Sequence, residues 1–128
     1  MPKVKQLTIP AQDRPGTLAH IAKLLGKSKI NIVAMNCATF GAKGAIQIVV
    51  DYVDKAKKVL DSQHLPYTEH DVLYVELENS PGCLGEFAGK LAAQGINVTM
   101  GYGIAKKSSD KASLILSVSD LNAASKIT

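Results

Sequence analysis

The chain has 128 residues, 46% of them hydrophobic, and a formal net charge of +4. That length suits one ordinary domain or two very small ones sharing a core, and no apolar run approaches the roughly 18 residues of a membrane helix. Of its 15 basic residues only Arg14 is an arginine. Nucleic-acid readers need arginine forks and stacking aromatics as well as charge, so neither nucleic acid nor a membrane is an expected partner.

Met1-Pro2-Lys3-Val4-Lys5 leads straight into strand-like sequence, which argues against a signal peptide and for a cytoplasmic location. A first strand is predicted from Lys5 to Ile9, where Leu7 and Ile9 alternate with polar residues. After a Pro-Gly turn, Leu18, Ile21, Ala22 and Leu25 recur at helical spacing and predict a helix with one apolar face. Ile30 to Thr39 and Lys43 to Asp51 form a predicted hairpin around Gly41 and Gly44. A second helix over Val53 to Gln63 buries Val53, Ala56, Val59 and Leu60, with Lys55, Lys57 and Lys58 on a solvated face. Pro66 ends it before a short strand from Tyr67 to His70.

The pattern then repeats. Asp13-Arg14-Pro15-Gly16-Thr17-Leu18 aligns with Asn79-Ser80-Pro81-Gly82-Cys83-Leu84 at an offset of 66. At the same offset Ala22 meets Ala88, Leu25 meets Leu91, and Ile30-Asn31-Ile32 meets Ile96-Asn97-Val98. Beyond the longer loop Lys106-Lys107-Ser108-Ser109-Asp110 the offset grows by three, pairing Val49 with Val118 and Asp51 with Asp120. Copy two has predicted strands at Leu73–Glu78, Ile96–Ile104 and Lys111–Ser119, and a short last helix capped by Asp120.

The order strand, helix, strand, strand, helix, strand is the ferredoxin-like split βαβ motif. The expected fold is α+β: two ferredoxin-like (βαββαβ) units side by side, 1–71 and 72–128, the second lacking its last strand. Each unit alone would have a marginal core, so their sheets are expected to run on from one another.

No catalytic constellation is visible. His20, His64 and His70 are expected at the surface, and Cys37 and Cys83 belong to no CxxC or His/Cys cluster, so neither metal nor cofactor is expected. The Pro-Gly loops carry the one ligand-like pattern. Proline suits a first helical turn, and glycine lets the backbone approach a ligand. The N–H groups of Gly16, Thr17 and Leu18, and of Gly82, Cys83 and Leu84, are placed by this pattern at helix N-termini, where a carboxylate binds. Asp13 or Asn79 is suited to accept from an ammonium, and Asn31 or Asn97 both donates and accepts. Together these match an α-amino acid. The plainer alternative is that Asp13 and Asn79 cap helices and that Asn31 and Asn97 turn the chain into a strand.

At these residues the sequence resembles the ACT domain family, regulatory modules that commonly bind amino acids, and looks closest to stand-alone tandem ACT proteins. The matching segments are Asp13 to Leu18 with Lys29-Ile30-Asn31-Ile32, and Asn79 to Leu84 with Gln94-Gly95-Ile96-Asn97-Val98. The resemblance implies ligand at an interface between the loop of one unit and the second-strand region of its neighbour. Carried over, the ligand-binding set is Asp13, Arg14, Pro15, Gly16, Thr17, Leu18 and Asn31 in copy one. In copy two it is Asn79, Pro81, Gly82, Cys83, Leu84 and Asn97, with Ser80 departing from Arg14.

The expected function is non-enzymatic: reversible binding of an amino acid, with occupancy passed allosterically to a partner enzyme or regulator. A homodimer is expected because Leu73–Glu78 would lack a neighbour on one side. Three other readings stand open: a structural or protein-interaction ACT pair without ligand, an RNA-binding module, and a small acyl phosphatase. The RNA module is opposed by the scarcity of strand aromatics, of which Tyr74 is the only one on the central strands, and the phosphatase by the lack of an asparagine partner for Arg14.

Overall fold

The computed structural model describes residues 2–12, 14–41 and 43–127. Six strands and four helices run along the described residues: β1 (Lys3–Gln12), α1 (Thr17–Lys27), β2 (Ile32–Phe40), β3 (Lys43–Val50), α2 (Val53–Ser62), β4 (Thr68–Glu78), α3 (Cys83–Ala93), β5 (Val98–Ala105), β6 (Lys111–Val118) and α4 (Leu121–Ser125). The class is α+β; β3 pairs with β1 and β2 in the first unit, and β6 pairs with β4 and β5 in the second. The chain forms two compact units, Lys5–His70 and Asp71–Thr128 with the chain start Met1–Val4.

In the first unit, strand alternation sends Leu7 and Ile9 to one face, in register with Ile48 and Ile46. Ile21 and Leu25 of α1, Ala56 and Leu60 of α2, and Ile30 complete that core, each no more than 4% exposed. Leu18 was expected on the same helix face, yet it is 39% exposed in the first turn. The second unit repeats the arrangement with Leu73 and Val75 under Phe87, Leu91, Leu116 and Ala124, and its Leu84 is 58% exposed. Apolar spacing gives the correct face for the body of each helix; the first turn projects past the sheet.

Both long helices of the loop motif end alike. Ile30 N–H donates to the Leu25 carbonyl and Lys29 N–H to Gly26, at 3.0 Å each. Ile96 with Leu91 and Gly95 with Ala92 repeat the pair, at 3.0 and 2.9 Å. These are Schellman closures, which need a left-handed residue after the cap. Gly95 supplies it at φ 70°, but Lys29 adopts φ 59° with a side chain attached, a conformation costing about 1 kcal/mol.

The structure corrects two expectations about strands. The predicted strands Tyr67–His70 and Leu73–Glu78 are one, β4, because no glycine or proline interrupts Thr68 to Glu78. The edge expected along Leu73–Glu78 is occupied within the second unit: β6 pairs with one side of β4, and on the other Tyr74 N–H donates to the Pro2 carbonyl at 3.0 Å. The chain start stands where a fourth strand of that unit would be. β2 is an edge strand of the first unit and β5 of the second.

The repeat alignment is also corrected. Cys37 pairs with Ile46 and Ile32 with Val50, while Gly103 pairs with Leu114 and Val98 with Val118. The β3-to-β6 offset is therefore 68, as from Val50 to Val118. The alignment of Val49 with Val118 is out by one residue, which in a strand exchanges the two faces. At the true offset Asp51 matches Ser119: Asp51 Oδ1 accepts from Asn31 N–H, and Ser119 Oγ accepts from Asn97 N–H, both at 2.9 Å. Asp120 caps α4 as expected, accepting from Ala123 N–H at 3.0 Å.

Two outcomes follow. Lys29→Gly raises unfolding free energy in urea by about 1 kcal/mol, because glycine adopts the left-handed cap without strain; no gain would contradict that assignment. Removal of residues 1–4 exposes Tyr74 N–H, so hydrogen exchange there accelerates relative to the Leu73–Leu116 pair facing β6; unchanged protection of Tyr74 would rule out the Pro2 contact.

Candidate ligand-binding site

Each site begins where a strand gives way to a helix. After β1, Arg14 N–H donates to the Gln12 carbonyl at 2.9 Å, and Thr17 Oγ1 bonds the carbonyls of Arg14 and Gln12 at 3.2 Å each. These bonds fold the loop tightly, and Gly16 turns it into α1 at φ 93°. Gly82 does the same for α3 at φ 90°. Glycine adopts this backbone without the steric cost of a Cβ. Pro15 and Pro81 stand before the glycine cap, two positions ahead of the first helical residue where proline was expected.

Neither helix has a side-chain cap at its glycine. The first-turn N–H groups lie beyond the reach of the intrahelical ladder, and an anion there meets the positive end of the helix dipole. In the second unit Cys83 N–H is already given to the Ser80 carbonyl at 3.3 Å, and Ser80 Oγ lies 2.9 Å from Cys83 Sγ. Gly82 and Leu84 are then the candidate backbone donors of this turn.

Asp13 lies outside the described residues. Its counterpart Asn79 does not cap the helix. Its Nδ2 donates to the carbonyls of Lys106 and Ser109 at 2.9 and 3.0 Å, and its N–H donates to the Asp110 carbonyl at 2.9 Å. Asn79 thereby fastens the β5–β6 loop to the Pro-Gly loop, and its carbonyl oxygen is what it can offer an ammonium group. Asn31 and Asn97 are exposed and stand past the far end of α1 and α3. Eleven residues of helix separate the two ends, about 16 Å at 1.5 Å per residue. Within one unit, then, the loop and the asparagine are not brought together.

What the loops do adjoin is a cavity in each unit. The first, of about 160 Å³, is lined by Gln12, Arg14, Gly16, Thr17, Leu18, Cys37 and Thr39 among others. The second, of about 290 Å³, is lined by Leu77, Glu78, Asn79, Ser80, Leu84, Gly103, Ala105, Ala112 and Leu114 with others. At its rim Lys111 Nζ donates to Glu78 Oε1, and this hydrogen bond and the carboxylate's charge raise the Lys111 ammonium above its ordinary value. The exposed Leu18 and Leu84 are thus cavity walls. Sequence periodicity assigned them to the core; their place in the first turn was the signal that they lie outside it. The contributions of β2, β3, β5 and β6 to the cavities depend on cross-strand register and were missed.

A family model described as an ACT domain pair matches residues 2–126. No curated protein matches the sequence. Among solved structures, protein BT0572 from Bacteroides thetaiotaomicron is 27% identical with a TM-score of 0.91, covering 97% of this chain and 85% of that one. The regulatory subunit of aspartate kinase from Thermus thermophilus, in a ligand free form, is 17% identical with a TM-score of 0.71, over 95% of this chain and 87% of that one. The corresponding subunit from Thermus flavus is 17% identical with a TM-score of 0.66, over 89% and 82%. These two show likeness of fold alone. Since the family match runs over nearly the whole length, the chain belongs to the ACT domain pair family.

Proposed function

We propose that this ACT pair is a non-enzymatic sensor that binds a free amino acid reversibly at its Pro-Gly loops. One observation carries the proposal: in both units a left-handed glycine opens a helix N-terminus, without a side-chain cap, beside a cavity walled by an exposed first-turn leucine. The helix end suits the carboxylate, and Asp13 or the Asn79 carbonyl oxygen suits the ammonium. The side chain then enters the cavity. Asn31 and Asn97 reach such a ligand only from outside the unit that supplies the loop, as the family resemblance implies. The regulatory subunits of aspartate kinase supply the analogy for a partner enzyme as the output.

Assembly through the sheet edges supports the same reading. β2 (Ile32–Phe40) and β5 (Val98–Ala105) contain no Asp, Glu, Lys or Arg, and both are edge strands. Edge strands that stay unpaired are usually blunted by charge or proline. A homodimer joined at these edges replaces the one expected at Leu73–Glu78. A ligand with different affinity for two assemblies would then shift their balance.

Thermal-shift and calorimetric screens of the common L-amino acids test the binding: at least one saturates, and the paired change Leu18→Asp, Leu84→Asp, at exposed first-turn positions beside the two cavities, weakens it tenfold or more with the far-UV spectrum retained. A folded sample that responds to none of them would overturn the proposal. Sedimentation at micromolar concentration is expected to show a dimer, and Met35→Lys with Ile104→Lys, one charge on each edge strand, to shift it to monomer. A wild-type species of 13.6 kDa at all concentrations would remove the dimer.

A further inference from the structure

Resting on the amino-acid reading above, we infer that the two cavities are not equivalent and that the second-unit cavity selects an aliphatic side chain of valine, leucine or isoleucine size. The repeat offsets allow the walls to be compared position by position. Where the first cavity has Cys37, Thr39 and Ala11, the second has Gly103, Ala105 and Leu77. Arg14 at the first mouth is replaced by Ser80 at the second. The Cys37 thiol, the Thr39 hydroxyl and the Arg14 guanidinium are thus lost, Ser80 bringing one hydroxyl at the mouth; Leu77, Leu84, Ala105, Ala112 and Leu114 form the apolar lining, and Glu78, Asn79 and Ser80 the polar one.

A Cβ at Gly103 would lie 2.2 Å from Leu114 Cδ2 and 2.6 Å from the Ser113 carbonyl oxygen. The Leu114 side chain therefore lies against bare backbone, where Cys37 projects in the first unit, so an aliphatic group stands in place of a thiol at this wall; the second cavity measures about 290 Å³ and the first about 160 Å³. The polar groups around the second cavity are engaged at its rim: Glu78 by Lys111, the Asn79 amide by the β5–β6 loop, Ser80 by Cys83. A polar or charged ligand side chain laid against Leu77, Leu84, Ala105 and Leu114 would lose water without gaining a partner there, whereas an aliphatic one gains with each buried methylene.

Isothermal calorimetry on the full chain tests this with L-leucine, L-isoleucine, L-valine, L-alanine, L-threonine, L-aspartate and L-lysine. The branched aliphatic set is expected to bind at least tenfold more tightly than alanine, in keeping with about tenfold or more per methylene in an apolar pocket. Ala105→Asp places a carboxylate in the wall at an exposed position and should weaken leucine tenfold or more, with the melting transition retained. Leu84→Asn, also at an exposed site, should act in the same direction and guards against misfolding of the first variant. Binding of threonine, aspartate or lysine with no leucine response would overturn the aliphatic assignment and leave the amino-acid reading standing. Leucine binding undiminished in both variants would overturn the location. Failure of all seven, together with the remaining common amino acids, would overturn the underlying reading itself.

Discussion

Each unit depends on a backbone reversal at a single glycine. At Gly16 and Gly82 the chain adopts φ near 90°, and that turn sets the angle at which the strand leads into the helix. The angle lays Ile21 and Leu25, or Phe87 and Leu91, on the sheet. It also carries the first turn beyond the sheet, so the leucine two residues after each glycine faces solvent and the cavity. The same feature that closes the core therefore opens the site. A residue with a Cβ would strain the backbone here even though both positions have open space around them, so the glycine requirement is conformational and not steric.

The two copies share this framework and diverge around it. Where Gly95 closes one helix without strain, Lys29 closes the other in the same left-handed conformation. Where Asp51 holds the start of β2 through Asn31 N–H, Ser119 holds β5 through Asn97 N–H. A carboxylate and a hydroxyl are both adequate acceptors for one amide, so the role survives the change of residue. Cavity walls are freer still, since Cys37 and Gly103 are both compatible with a paired strand. The two copies thus share the backbone bonds and differ in the side chains around the cavities.

Much of this was legible in sequence. The alternation of Leu7 with Ile9 and the helical spacing of Ile21 and Leu25 need only local periodicity, and the core follows from them. The Pro-Gly repeat located the loops because glycine at that point has a backbone reason. What depended on register was not legible. A hairpin loop two residues longer, not three, decides which face each β6 residue takes, and identical residues at the wrong offset, Asp51 with Asp120, favoured the wrong count. The partner of β4 was hidden for a related reason: Pro2 to Val4 lie far from Tyr74 in sequence, and no local pattern announces that a chain start will take the place of a missing strand. The helix cap offered as the plainer role of Asn79 is not made: its amide is taken by carbonyls of the five-residue β5–β6 loop, acceptors that no local pattern announces.

That last bond has a consequence for signalling. β5 is an edge strand, and its residues Gly103 to Ala105 form one wall of the second cavity. Beyond Ala105 the chain enters the loop whose Lys106 and Ser109 carbonyls are held by the Asn79 amide, and Asn79 adjoins the glycine turn. The Pro-Gly loop, the cavity wall and the edge strand are therefore connected through one short segment. Leu84 stands on the helix side of that cavity and Gly103 to Ala105 on its strand side. On the proposed reading, a ligand seated between them would be coupled to pairing at the β5 edge only if its affinity differs between the paired and unpaired edge.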